Sequence, residues 1–317
     1  MHKRYERLGQ RFGRWVAVGM LAVLSAFALM VWTALKKPAF PRLTVVAVGD
    51  PVVVWSWDRS TNRAVRIAIP AATVIDAVGG YGKYSLEALW RLGGIEKRGG
   101  TILAQSLQEA LGLPIDGYIS PNRPETSVAA DTSLVPKPLQ ISGLPFVMFD
   151  YRTNISFVTL IRLSLAANRL RPDSVTSINM TKDNALVEEQ LPDGTVAQTP
   201  DAGRLDMLLG TMFEDARVRG EGLSVSVYNT TEMVSLGSRV GKLLGRIGVF
   251  VVRVGNDTST VDQCSLRGGK KALASATAAV ITGILGCGQE EGTPEVADLE
   301  VRVGTAYQAR FLPTPQR

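Results

Sequence analysis

The chain has 317 residues, 45% hydrophobic and 20% charged, so it is long enough for about two ordinary domains and apolar enough to bury cores. Its single histidine is His2 and it has two cysteines, which excludes a Ser-His-Asp triad, a Cys-His dyad and zinc held by histidines or four thiolates in the folded part. Residues 1–37 hold seven basic residues and one acidic residue, and removing them from 35 and 29 leaves 28 of each. The net charge of +6 therefore sits at one end, the remainder lacks the basic footprint of a nucleic-acid binder, and no nucleic-acid partner is expected.

That end reads as an anchor. Trp15 to Leu35 is an uncharged run, and about 20 apolar residues at 1.5 Å each span a hydrocarbon core. Trp15 and Trp32 stand near its two ends, at interface depth. Lys3, Arg4, Arg7, Arg11 and Arg14 precede it and only Lys36 and Lys37 come after it, which predicts a cytoplasmic tail over 1–14, a transmembrane helix over 15–35, a spacer over 36–41 and an extracytoplasmic remainder. Ala26-Phe27-Ala28 would suit a signal-peptide cleavage box, but the apolar run continues past it, which favours an uncleaved signal-anchor in the cell membrane.

Beyond the spacer, Leu43–Val48, Val52–Trp57 and Ala64–Ile69 read as strands, the last two joined by the turn formers Asp58 to Asn62. Leu86, Leu89 and Trp90 share one helical face, and Leu103, Leu107, Ala110 and Leu111 another, stopped by Gly112. Ile115–Ile119 is a strand, 120–138 a loop, Ile155–Leu170 a helix and Ser174–Met180 a strand. Residues 181–203 are polar, with an Asp193-Gly194 turn, and read as an exposed excursion. Leu205–Arg217 reads as one helix, and Gly220-Glu221-Gly222 as a hinge between domains.

The last part has the clearest periodicity. Leu223, Val225 and Val227 alternate with polar residues. Met233, Leu236, Val240, Leu243 and Ile247 keep helical spacing. Val249–Val254 reads as an apolar strand, broken only by Arg253, and Val261–Leu266 as a weaker one. Leu273, Ala276, Val280 and Ile284 give a second helix, and Leu299, Val301 and Val303 a last strand. The expected fold class is α/β, ending in a small two-layer βαββαβ domain. An oxidising compartment would let Cys264 and Cys287 persist as a disulfide, the alternative being two buried thiols.

Val225-Ser-Val-Tyr-Asn229-Thr-Thr, Leu236-Gly237-Ser238-Arg239-Val240 and Leu244-Gly245-Arg246-Ile247-Gly248-Val249 resemble the LytR C-terminal domain, and the match runs over residues 223–304 of a domain drawn at 223–312. Asn229-Thr230 departs by lacking the usual glycine. That domain commonly follows a LytR-CpsA-Psr catalytic domain, and residues 42–219 look like a degenerate version of one. Gly49-Asp50-Pro51, Ile67-Ala68-Ile69-Pro70 and Leu111-Gly112-Leu113-Pro114-Ile115-Asp116-Gly117-Tyr118 are similar to that family's segments. The resemblance implies attachment of glycopolymers from polyprenyl-pyrophosphate carriers to peptidoglycan, with magnesium. The departures are chemical: the family's Arg-Asp after the proline is Ala71-Ala72 here, and its later arginine segment has only Asp150 and Arg152 as remnants. Pyrophosphate transfer needs guanidinium forks and a metal on carboxylates, which two alanines do not supply.

Gly80-Tyr81-Gly82-Lys83-Tyr84-Ser85 is a weak match to a phosphate-cradling loop and reads better as a turn, although Tyr81, Lys83 and Tyr84 suit a sugar or phosphate group and are the candidate ligand residues. Glu188-Glu189 with Asp193 could pair for glycoside cleavage, but adjacent acids in a polar stretch read as solvated. Trp55, Trp57 and Trp90 read as core, and Asn229-Thr230-Thr231 as a strand-to-helix turn with a threonine near the N-cap. Three functions stand as expectations: a non-catalytic binding or scaffold protein of the cell wall with no cofactor, a ligase with a rebuilt magnesium site, or a regulatory partner of a membrane enzyme. The expected partners are the bilayer and peptidoglycan or a polyprenyl-linked glycopolymer.

Overall fold

The computed structural model describes residues 42–121 and 151–312, with positions 20 and 25 standing alone. Those two positions apart, the expected tail, anchor and spacer lie outside the described residues, as do Asp150 and most of the 120–138 loop. Among the described residues no helix is long and apolar enough to cross a membrane.

Strands β1 (Arg42–Ala47), β2 (Val52–Asp58) and β3 (Arg63–Ile69) form an antiparallel meander. Asp58 closes its turn: one carboxylate oxygen accepts the Ser60 N–H at 2.8 Å and the Ser60 hydroxyl at 2.6 Å. A hairpin of β4 (Val74–Ala77) and β5 (Gly82–Ser85) comes next. Ser85 then caps α1 (Leu86–Ile95) by accepting the Ala88 N–H at 3.2 Å. Helix α2 (Thr101–Leu111) ends at Gly112, whose φ of 65° is the left-handed cap that glycine adopts without strain. The chain continues through β6 (Gly117–Pro121), β7 (Tyr151–Thr153), α3 (Phe157–Ala167) and β8 (Val175–Asn179). The sheet order is β7-β6-β1-β2-β3-β8, with β1–β6 and β3–β8 parallel, a mixed α/β layer.

Both faces of this sheet are covered. Val46, Val54 and Ile67 face Leu86, Leu89, Leu103 and Leu107 of α1 and α2. Val45, Trp55 and Ala64 face Leu160 and Leu163 of α3. Fully burying each such side chain contributes roughly 1.5–3 kcal/mol.

Over 181–222 one expectation is sharpened and one is corrected. The polar excursion is a hairpin of β9 (Leu186–Gln190) and β10 (Val196–Pro200), held by its main-chain ladder. The expected helix over 205–217 is two, α4 (Ala202–Leu209) and α5 (Ala216–Glu221). Gly210 at φ 39° ends the first, Phe213 is buried in the core between them, and Asp215 starts the second by accepting the Arg217 N–H at 2.8 Å. Gly220 and Glu221 therefore lie in the last turn of α5. Glu221 is pinned, accepting from the N–H groups of Ala276 and Thr277 at 2.7 and 2.8 Å.

The second sheet is built from β11 (Ser224–Asn229), α6 (Leu236–Arg246), β12 (Phe250–Asn256), β13 (Ser265–Gly268), α7 (Lys270–Leu273), α8 (Ala276–Leu285), β14 (Gly288–Glu291), β15 (Leu299–Val303) and α9 (Thr305–Gln308). Its order is β12-β11-β15-β13-β14. The expected βαββαβ order thus gains one strand: β14 is wholly exposed and polar, so it leaves no hydrophobic pattern, and the β13 ladder holds it. Val225, Val227, Leu299 and Val301 bury against Val240, Leu244 and Ile281. The apolar run over 249–254 sits at an edge, with Phe250, Val252 and Val254 exposed. Helix α6 begins at Leu236, later than a threonine N-cap would place it, because Thr230 is drawn to Val303: its hydroxyl donates to that carbonyl at 2.8 Å. A disulfide joins Cys264 and Cys287.

Candidate functional site

The hairpin β4–β5, α2, β9–β10 and the second sheet's helical layer together enclose a cleft of about 550 Å³. Lys83 projects into it from β5. The register sets Asp76 directly opposite Lys83, and Glu189 of β9 takes its ammonium at 2.5 Å. That hydrogen bond holds the Glu189 carboxyl below its usual range. Across the cleft, the Arg239 guanidinium lies 5.2 Å above the Phe311 ring, with Met233 beside them. Glu109 of α2 accepts the Tyr307 hydroxyl at 3.1 Å. Burial pushes the Glu109 carboxyl up, and burial beside Glu109 pushes the Tyr307 phenol up as well.

The cleft thus sets Lys83 and Arg239 against Asp76, Glu109 and Glu189. A net negative lining with Lys83 already paired opposes a pyrophosphate, which needs uncompensated cations. Carboxylate acceptors and ammonium and guanidinium donors around Phe311 and Met233 match the hydroxyls and apolar face of a sugar.

Of the candidate ligand residues, the structure brings only Lys83 to the cleft wall. Tyr81 packs against the first core with its phenol bonded to Glu96. Tyr84 succeeds Lys83 along β5 and so points to the opposite face. Glu188 neighbours Glu189 on the strand and alternates away from it, while Asp193 closes the β9–β10 turn by accepting the Thr195 N–H at 3.0 Å. Trp55 is fully buried and Trp90 meets Tyr118 edge-on at 5.9 Å. Glu109, Arg239 and Phe311 lie far apart in sequence with no shared motif; only the docking of α2, α6 and the turn after α9 gathers them.

The end of β3 is where the resemblance would set phosphate chemistry. The Ala71 N–H donates to Asp50 at 3.3 Å, and Ala72 is exposed. Four arginines of this region are held apart by different neighbours. Arg63 opens β3 at its far end, and Arg66 donates to Ser177 on β8 at 3.4 Å. Arg91 pairs with Glu87 along α1, and Arg98 donates to Gln105 at 3.1 Å. Among the described residues no three His, Cys, Asp or Glu side chains gather to hold a metal ion.

No protein-family model matches this chain, and no curated protein matches it. Solved structures with a similar chain path include the transcriptional regulator yvhJ of Bacillus subtilis, 14% identical, with a TM-score of 0.39 over 54% of this chain and 95% of that one. B. subtilis TagV is 12% identical, with a TM-score of 0.37 over 53% of this chain and 93% of its own. The LytR-CPS2A-psr family protein YwtF (TagT), solved with bound octaprenyl pyrophosphate lipid, is 14% identical, with a TM-score of 0.37 over 55% and 91%.

Proposed function

We propose that this chain is a membrane-anchored, extracytoplasmic cell-envelope protein of LytR-CpsA-Psr descent that holds the sugar portion of a wall glycopolymer or peptidoglycan without transferring it. The residues supporting a binding role are Lys83, paired by Glu189 and opposed by Asp76 in a net negative cleft, and Ala71-Ala72 standing where the resemblance expects charge. The anchor is the Trp15–Leu35 run, with a LytR C-terminal domain over 223–312.

The test uses the full chain in detergent, incubated with purified peptidoglycan and, separately, with vesicles carrying polyprenyl pyrophosphate, with and without magnesium. Retention on peptidoglycan independent of magnesium is expected, reduced at least several-fold by Lys83→Ala or Arg239→Ala. Magnesium-dependent release of phosphate from the lipid, abolished by an Arg→Ala change at Arg63, Arg66, Arg91 or Arg98, would replace this reading with the ligase. An extracytoplasmic reporter fused after Arg317 should be active, and activity of a cytoplasmic reporter there would refute the topology.

A further inference from the structure

A second cavity, of about 260 Å³, lies at the seam between the two sheets and shares no lining residue with the Lys83 cleft. One wall is apolar and comes from both halves of the molecule: Ile115 and Phe213 from the first, Ile247, Val280 and Ile284 from the second. The polar part of the lining, a second wall in chemical terms, is Arg42, Thr44, Gln108, Asp116 and Asp215.

The charges on that wall can be sorted by their partners. Arg42 is consumed by Asp58 at 3.0 Å and the Met212 carbonyl at 3.0 Å, with its guanidinium 5.2 Å from the Phe213 ring. Asp215 is consumed by Arg217, whose guanidinium reaches it at 3.1 Å. Asp116 differs. One of its oxygens accepts the Thr44 N–H at 2.7 Å, while the carboxyl stays open to the cavity, with no cation from the described residues against it. Its side chain is exposed, yet the desolvation imposed by the surrounding protein pushes its carboxyl up to about 6.

We propose that this cavity binds a small primary amine, the ammonium on the open oxygen of Asp116 and an aliphatic body against Phe213, Ile247, Val280 and Ile284. Among the described residues of the lining, Asp116 is the one uncompensated charge, so a cation is selected and an anion rejected. The volume lies below the roughly 300–1,000 Å³ common for ligand pockets, which limits the occupant to a small free molecule rather than a lipid. Because both halves line the cavity, an occupant would also tie them together.

The test titrates hexylamine, hexanol and hexanoate into the full chain in neutral-lipid nanodiscs by calorimetry, with empty nanodiscs subtracted. Hexylamine should bind at pH 7.5, more tightly than hexanol, and hexanoate should not bind. At pH 5 hexylamine affinity should fall roughly tenfold, because about a tenth of a carboxyl titrating near 6 is then ionised. Asp116→Asn keeps an oxygen for the Thr44 N–H and should lose at least tenfold. Gly283→Leu adds bulk to the cavity wall from helix α8 while favouring that helix, and should also weaken binding several-fold. Equal hexylamine affinity in either variant, or hexanoate binding as tightly as hexylamine, would overturn the proposal.

Discussion

The Tyr307 hydroxyl donates to Glu109 at 3.1 Å across 198 residues of sequence, and the bond joins the two sheets of the molecule. Tyr307 lies on α9 just past β15, Glu109 lies on α2, and Arg310 lies 4.4 Å over the tyrosine ring. Close by in the chain, Phe311 packs against both cores. Tyr307→Phe keeps the ring and deletes the donor, leaving a half-buried carboxyl short of a partner. The expected cost is about 1–3 kcal/mol, read by urea unfolding at pH 7. A loss under about 0.5 kcal/mol would mean that the bond contributes nothing across the seam.

Asp116 gives a signed pH dependence. Its folded carboxyl is raised, to about 6 from an ordinary value of 3.8. A raised acid contributes stability fully below its unfolded value, and that contribution is lost as pH rises to the folded value of about 6. Asp116→Asn has no such loss. The variant's melting temperature relative to the parent should therefore climb from the ordinary value of 3.8 and level off above about 6. A flat difference across that range would show that Asp116 titrates like a solvated carboxyl.

The disulfide between Cys264 and Cys287 closes a loop with a sequence separation of 23. It links β13 to the segment just after α8, within the second core. Chain-entropy arguments assign such a loop about 3 kcal/mol. Replacing both cysteines with alanine should lower the urea midpoint of the transition that reports the second sheet. Alkylation of the unreduced protein should label no thiol, and two labelled thiols without reductant would refute the bond.

Two neighbouring glycines on α1 should behave in opposite ways. A Cβ on Gly93 would meet the Gly99 carbonyl oxygen at 1.8 Å, and Gly93's own carbonyl accepts the N–H groups of Arg98 and Gly99, both at 2.9 Å. The turn into α2 is thus built against bare backbone. Gly93→Ala should cost at least about 1–3 kcal/mol. A Cβ on Gly94 meets nothing within 4 Å, so Gly94→Ala should be neutral or stabilise by up to about 1 kcal/mol. Equal midpoints in urea would contradict this packing.

The sequence by itself determined the elements whose signals are local. The apolar and β-branched strands β1 and β2, the alternating β3, the α2 stop at Gly112 and the helices α6 and α8 all arise from side-chain pattern and turn chemistry within a short window. The charge asymmetry of residues 1–37 and the alanines after Pro70 are local in the same sense. Tertiary structure decided the features that rest on contacts between distant segments. Helix α5 starts afresh because Phe213 drops into the core and Asp215 caps a new first turn, and nothing in the apolar spacing of 205–217 announces that break. Strand β14 has no apolar residue and exists only through its ladder to β13. Lys83 was legible as a polar residue in a glycine turn, but its neutralisation by Glu189, 106 residues away, was not. The same holds for the seam cavity, where Asp116 lacks a cation because Arg42, the basic residue of that lining, is taken by Asp58. The charge left over at a site is a difference between pairings, and pairings between distant residues exist only once the chain has folded.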